Sequence, residues 1–245
     1  MKKLGLLGKN IGYSFSRTYF SDKFIKEGLS EIFSYQNFDI ESINLFPNLI
    51  DEYPELIGLN VTIPYKEAII PFIDELSETA SIIGAVNTIK IDSEGKLIGH
   101  NTDYIGFLES IKPLLQSHHK KALVLGYGGA SKAILFALQQ LNIDYLLVSR
   151  TKSDTNITYE EVDKEIFDHY QIVINCTPLG TFPAVENCPD IPYHYFTNLH
   201  IAYDLIYNPE QTTFLKQAQS QGATIKNGSQ MLILQAEAAW KIWNS

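Results

Sequence analysis

Short apolar runs alternate with amphipathic stretches along nearly the whole chain, and several runs end in a polar or glycine-rich cluster. In the first half, 3–7, 35–39, 56–62 and 86–91 read as strands, while 17–28, 42–52, 66–76 and 79–83 carry helical spacing. The turn Asp92-Ser-Glu-Gly95-Lys lets 86–91 pair with 96–98 as a hairpin. The second half predicts a helix over 104–115, a strand over 122–125, a helix over 130–141 and a strand over 145–149. Further strands follow at 172–175, 201–205 and 223–226. The last helix, 230–243, is apolar on nearly every side, so it must be buried between other elements. This alternation predicts an α/β protein with parallel sheets.

Two of the polar clusters sit where a strand turns into a helix. Asn60-Val-Thr-Ile-Pro-Tyr-Lys66 follows the apolar Leu56-Ile-Gly-Leu, and Gly99-His-Asn-Thr-Asp103 follows the hairpin. In α/β sheets that carboxyl edge is where ligands bind. A domain boundary just after Asp103 makes 1–103 a catalytic domain, with 229–245 returning to it, and 104–228 a second domain.

A chain of 245 residues, 45% hydrophobic, is long enough for two such cores. Its net charge of −9 leaves no broad footprint for nucleic acid or an anionic membrane, so any anion site must be local. Cys176 lies in the apolar run Ile172-Val-Ile-Asn-Cys and reads as a buried free thiol rather than half of a bridge to Cys188. The apolar stretch after Lys2-Lys3 is too short for a signal peptide, and no window approaches the ~18 apolar residues of a membrane span. A cytoplasmic protein, monomer or homodimer, is expected. The six histidines show no ligand spacing, so no metal is expected.

Leu123-Val-Leu-Gly126-Tyr-Gly128-Gly129-Ala130-Ser131 is a glycine-rich strand–turn–helix. Gly126 would make the tight turn, Gly128 would admit a pyrophosphate, and the helix N-terminus would hold the anion, with Ser131 small enough to replace the third glycine. The alternative is a plain strand–helix turn. The next strand ends Ser149-Arg150-Thr151-Lys152 with no acid there to hold ribose hydroxyls; Asp144 precedes that strand and Asp154 lies beyond it. Arg150 has the planar fork that grips a 2′-phosphate, which points to NADP.

Five further segments carry a resemblance: Gly12-Tyr-Ser14-Phe-Ser16, the Asn60–Lys66 cluster, Gly84-Ala-Val-Asn87-Thr88, Gly99-His-Asn-Thr-Asp103-Tyr-Ile-Gly-Phe107 and Asn227-Gly-Ser-Gln-Met231. With the glycine turn and Ser149-Arg-Thr, their order resembles the shikimate dehydrogenase family across essentially the whole chain. The resemblance implies an N-terminal α/β substrate domain plus a Rossmann-like NADP-binding domain, and interconversion of 3-dehydroshikimate and shikimate. It implies that Ser14 and Ser16 bind the substrate carboxylate, and that Asn60, Thr62, Lys66, Asn87 and Asp103 surround its hydroxyls and reacting carbon. Tyr207 and Gln235 would close the site, and Gly126, Gly128, Gly129, Ala130, Ser149, Arg150, Thr151, Lys152 and Thr177 would hold the cofactor. Lys66 would deliver the proton of ketone reduction, with Asp103 orienting it.

Several positions depart from the family pattern, among them the loop after Arg150, which lacks a second arginine. Tyr13 replaces a histidine, Arg17 a proline, and Thr181, in Asn175-Cys-Thr-Pro-Leu-Gly-Thr181, a methionine expected beside the nicotinamide. Each polar residue also has a bland reading: Lys66 as a helix-start lysine, Asp103 as a helix cap, Ser14 or Ser16 as a cap, Asn87 as a turn residue. Other readings are a quinate/shikimate enzyme accepting NAD, a folate dehydrogenase of related layout, and a non-catalytic sensor. Lys66 and Asp103 together argue against the sensor, which needs no proton donor.

Overall fold

The computed structural model describes residues 1–12 and 14–245, so the departure at Tyr13 lies outside the described residues. The chain forms two compact units, Met1–Thr102 with Gln235–Ser245, and Asp103–Leu234.

Unit one contains β1 (Lys2–Gly8), α1 (Phe15–Lys26), β2 (Phe33–Asp39), α2 (Phe46–Glu52), β3 (Leu56–Val61), α3 (Tyr65–Ala68), β4 (Glu75–Leu76), α4 (Glu78–Ile83), β5 (Thr88–Ile91) and β6 (Leu97–His100). Among the described residues these strands form one six-stranded sheet in the order β2-β1-β3-β5-β6-β4. β1 runs parallel to β2 and β3, whereas β5 is antiparallel to both β3 and β6. The interior strand β1 is buried along most of its length, as a strand covered on both faces must be. One face carries the aromatic cluster of Phe20, Phe24, Phe33 and Tyr35, closed by Trp240 and Trp243 of the chain's last helix. The other face holds Phe46, Leu59, Ile69, Val86 and Ile89.

The helix expected over 66–76 is a correction. α3 ends at Ala68, a 3-10 turn covers Ile70–Phe72, and Glu75–Leu76 is a strand. Pro71 cannot donate to the helix ladder, and Asp74 N–H donates to the Leu97 carbonyl at 3.1 Å, which pulls the chain onto the edge of β6.

Unit two contains α5 (Asp103–Ile111), β7 (Lys121–Leu125), α6 (Gly129–Gln140), β8 (Asp144–Ser149), β9 (Asn156–Thr158), α7 (Lys164–His169), β10 (Ile172–Asn175), β11 (Ile201–Asp204), α8 (Thr213–Ser220), β12 (Thr224–Lys226) and the start of α9 (Ser229–Trp243), whose residues from Gln235 on belong to unit one. All pairings in its sheet are parallel, in the order β12-β11-β10-β7-β8-β9. The order reverses between β7 and β10, the switch point where doubly wound sheets bind nucleotides. Its two faces are covered by separate apolar clusters, one built on Val124, Ile134 and Ile174, the other on Leu123, Phe167 and Phe214. The short β9, α7 and α8 have no counterpart in the sequence reading. Asp144, expected before β8, is its first residue.

The terminal helix is divided rather than wholly returned. Met231 packs in the unit-two core, whereas Ala236, Ala239 and Trp243 pack in unit one, so the division falls at Gln235 and not at 229. Cys176 is half-buried where β10 ends, less covered than expected, and both cysteines are thiols. Among the described residues no helix is long and apolar enough to cross a membrane.

Candidate active site

In unit one the polar residues of three strands and the last helix are joined by side-chain hydrogen bonds, with Ser16, in the first turn of α1, beside the hydroxyl of Tyr35 on β2. The Tyr35 hydroxyl donates to Asn60 Oδ1 at 2.9 Å. Asn60 Nδ2 lies 3.3 Å from Thr88 Oγ1 and 3.4 Å from the Asn87 carbonyl. Asn87 Oδ1 accepts from the Thr102 N–H at 2.6 Å and from Thr88 Oγ1 at 3.1 Å. Asn87 Nδ2 donates to Thr102 Oγ1 at 3.0 Å and to Gln235 Oε1 at 3.4 Å. Sheet register sets this up, because Asn60 on β3 stands opposite Thr88 on β5. Ser16, Tyr35, Asn60, Asn87, Thr88, Thr102 and Gln235 are all buried, and buried polar groups need such partners.

Ser14 caps α1, its Oγ accepting the Arg17 N–H at 3.2 Å. The capping reading is therefore correct for Ser14, but a cap uses only an acceptor lone pair and leaves the hydroxyl hydrogen for another acceptor. The loop before it is pinned by Asp39, which accepts the N–H groups of Asn10 and Ile11 at 2.9 and 3.0 Å. Lys66 is half-buried in α3, and its carbonyl accepts the Val86 N–H at 2.7 Å. The neighbouring Tyr65 hydroxyl donates to the Ile40 carbonyl at 2.7 Å, tying that helix to the end of β2. Thr62, half-buried, continues β3 through its N–H to the Leu7 carbonyl at 2.9 Å. Asp103 is buried and is the first residue of α5, so it is not a cap outside the helix. It follows Thr102 directly in the chain, but belongs with Tyr207 to unit two.

In unit two the glycine turn lies at the switch point. Gly126 has φ +91°, and a Cβ there would stand 2.7 Å from Thr177 Cγ2, so both the left-handed backbone and the approach of the β10 loop require glycine. Gly128 is extended, and a Cβ there would meet nothing within 4 Å, leaving open space before the N-terminus of α6. Ser131 does more than fill the third-glycine position: its Oγ accepts the Gly128 N–H and donates to the Gly128 carbonyl, each at 2.7 Å. Gly129 and Ala130 lie in the first helical turn, whose N–H groups have no carbonyl partner within the helix. This cradle fits a dinucleotide pyrophosphate. At the end of β8, Arg150, Thr151 and Lys152 are exposed. Lys152 is ion-paired with Glu161, and Ser149 Oγ donates to the Thr151 carbonyl at 2.6 Å, so these two are already engaged and Arg150 is the main cation offered there.

Thr177 is held by Asn175, whose Oδ1 accepts the Thr177 N–H at 3.0 Å and its hydroxyl at 2.7 Å. Asn175 in turn donates to Asp204 Oδ1 at 3.1 Å. Asp204, fully buried, also accepts from the Thr212 hydroxyl at 2.6 Å and the Ile206 N–H at 3.0 Å. Burial pushes its carboxyl up to about 6, against the pull of these bonds. Tyr207, two residues past Ile206 N–H's neighbour Leu205, is partly exposed, and burial raises its hydroxyl. Sequence reasoning missed Tyr35, Asp39, Thr88, Thr102 and Asp204. Thr88 and Thr102 lie inside the quoted motifs, but nothing in the pattern distinguishes Tyr35 from an ordinary strand aromatic.

The family model for the shikimate dehydrogenase substrate binding domain matches residues 6–89. The shikimate dehydrogenase (NADP(+)) of Caldicellulosiruptor saccharolyticus is 36% identical over 99% of this chain and 92% of its own length. The shikimate 5-dehydrogenase of Thermus thermophilus, solved with NADP(H) and shikimate, superposes with a TM-score of 0.87 at 31% identity, covering 99% of this chain and 93% of that one. The quinate dehydrogenase of Corynebacterium glutamicum, solved with NAD, gives a TM-score of 0.87 at 26% identity, covering 99% and 93%.

Proposed function

The chain belongs to the shikimate dehydrogenase family, and we propose that it is the NADP-linked enzyme that interconverts 3-dehydroshikimate and shikimate. The observation that carries this reading is the buried network of unit one, which gathers Tyr35, Asn60, Asn87 and Gln235 and ends one residue before Asp103. A small polyhydroxylated acid needs several short polar side chains of fixed direction, and this network supplies them.

Ser14 and Ser16 receive the carboxylate, Ser14 through the hydroxyl hydrogen its capping role leaves over. Asn60, Thr62, Asn87 and Gln235 bind the ring hydroxyls. NADPH, when bound, supplies the hydride for the ketone carbon. Gly126, Gly128, Gly129 and Ala130 would hold its pyrophosphate, Thr177 its nicotinamide side, and Arg150, with Ser149, Thr151 and Lys152 around it, its 2′-phosphate. Lys66 gives a proton from its ammonium to the developing alkoxide and takes it back in the reverse direction; Asp103 orients the lysine. Each turnover therefore moves one hydride to carbon and one proton to oxygen.

An NAD-linked enzyme that also takes quinate is the second reading. The pairing of Lys152 with Glu161 favours it, since it removes one cation from the 2′-phosphate side. The deciding measurement is turnover of shikimate and of quinate, each with NADP⁺ and with NAD⁺, followed at the absorbance of the reduced nicotinamide. Shikimate with NADP⁺ should be the best pair, and Lys66→Met should lower its kcat by ~10²–10⁴-fold. Absence of turnover with every pair would overturn the enzymatic reading.

A further inference from the structure

We propose that Tyr35 is a positioning residue for the substrate: its hydroxyl holds the hydroxyl-binding Asn60 in a fixed arrangement beside Ser16. The inference rests on the reading of unit one as the shikimate-binding unit.

Tyr35 lies on β2 and Asn60 on β3, with β1 between them: Leu4 is paired with Tyr35 on one side, and Leu6 with Asn60 on the other. The phenol is long enough to cross that strand and place its hydroxyl 2.9 Å from Asn60 Oδ1, with Ser16 of α1 beside it.

The ring itself has little freedom. It stacks on Phe20 at 4.7 Å and 15°, and Trp243 lies 6.5 Å from it and 5.4 Å from Phe20. Trp243 is locked in turn, its Nε1–H donating to the Ile89 carbonyl at 2.9 Å. A hydroxyl on so constrained a ring is a fixed point, which neither a serine on a helix turn nor an asparagine amide is by itself.

The arrangement also decides what Asn60 offers a ligand. Its amide hydrogens face Thr88 and the Asn87 carbonyl, and one lone pair of Oδ1 is taken by Tyr35. The second Oδ1 lone pair is what Asn60 presents, and it suits a substrate hydroxyl as donor. Loss of the Tyr35 hydroxyl would free the Oδ1 side of the amide and leave its orientation to the longer Nδ2 bonds of 3.3 and 3.4 Å.

Tyr35→Phe removes one oxygen and keeps the stacked ring. It should raise KM for shikimate about 3–10-fold, the scale of one neutral hydrogen bond, with KM for NADP⁺ unchanged. In an Asn60→Ala background the same change should cost clearly less, because Tyr35 acts through Asn60. An unchanged KM for shikimate, equal rises in both KM values, or fully additive effects would overturn the proposal. A measurement on the wild type does not depend on the variant folding: the ring carbon bearing the Tyr35 hydroxyl, labelled with ¹³C, should shift on titration with shikimate. An unmoved signal would also overturn it. Wild-type protein that turns over no shikimate would instead refute the functional reading beneath it.

Discussion

Asp204→Asn should stabilise the protein progressively more as the pH rises from 4 to 7. Asp204 is fully buried at the end of β11, and its carboxyl is pushed from 3.8 up to about 6. A carboxyl whose folded value is raised contributes stability that is fully present below the unfolded value and is lost as the pH rises through the folded one. The window is therefore about pH 3.8 to 6, and the rise across it corresponds to about 3 kcal/mol. Asparagine is nearly the same shape. It keeps one oxygen for the Asn175 amide and the Ile206 N–H, and sets an NH₂ against Thr212, whose bond to Oδ2 is lost at every pH. The pH-dependent part thus isolates the buried charge from the altered hydrogen bond. For a chain of this size the melting-temperature gap between variant and wild type should widen by roughly 6–12 °C from pH 4 to pH 7. Thermal melts of both proteins at pH 4, 5, 6 and 7, in one buffer series at constant ionic strength, measure it. A gap that stays constant across the series would refute the argument, and would mean that the three donors compensate fully for the buried charge.

Gly126→Ala should cost about 1–2 kcal/mol from the left-handed backbone alone, with weaker NADPH binding, and Thr177→Ser should recover part of the loss by removing the methyl that the new Cβ meets at 2.7 Å. Chemical denaturation and NADPH titration of the three variants check it; no recovery in the double variant would place the strain elsewhere. Arg150→Ala should lower kcat/KM for NADPH about 10–150-fold while sparing NADH, and Lys152, held by Glu161, offers little compensation. Equal loss with the two cofactors would make Arg150 a loop residue only. Ser14→Asp should keep the α1 cap and the melting temperature but raise KM for shikimate sharply, because a carboxylate would face the substrate carboxylate. Normal shikimate binding by that variant would leave Ser14 as a cap and nothing more.

The local grammar of the chain determined a good deal. Apolar runs bounded by turns are enough to locate strands such as Ile172–Asn175 and Lys2–Gly8, because a strand buried on both faces must be apolar throughout. The glycine turn was legible for the same kind of reason: only glycine takes the φ of +91° at Gly126, so the constraint is written into a single residue. The polar clusters at strand ends named Lys66, Asn87 and Asp103, since polar side chains interrupting apolar runs need a purpose. β9, α7 and α8 were not legible, because none is a continuous apolar run and so few positions establish no period. Pro71 should have signalled the broken helix over 66–76, but the strand that replaces it exists only through pairing with β6. Tertiary structure alone decided that Tyr35 reaches across β1 to Asn60, that Glu161 engages Lys152, and that Asp204 organises the loop carrying Thr177. Those contacts join residues 25, 9 and 29 positions apart. A hydrogen bond depends on distance and direction in space, and neither is encoded in the spacing of residues along the chain.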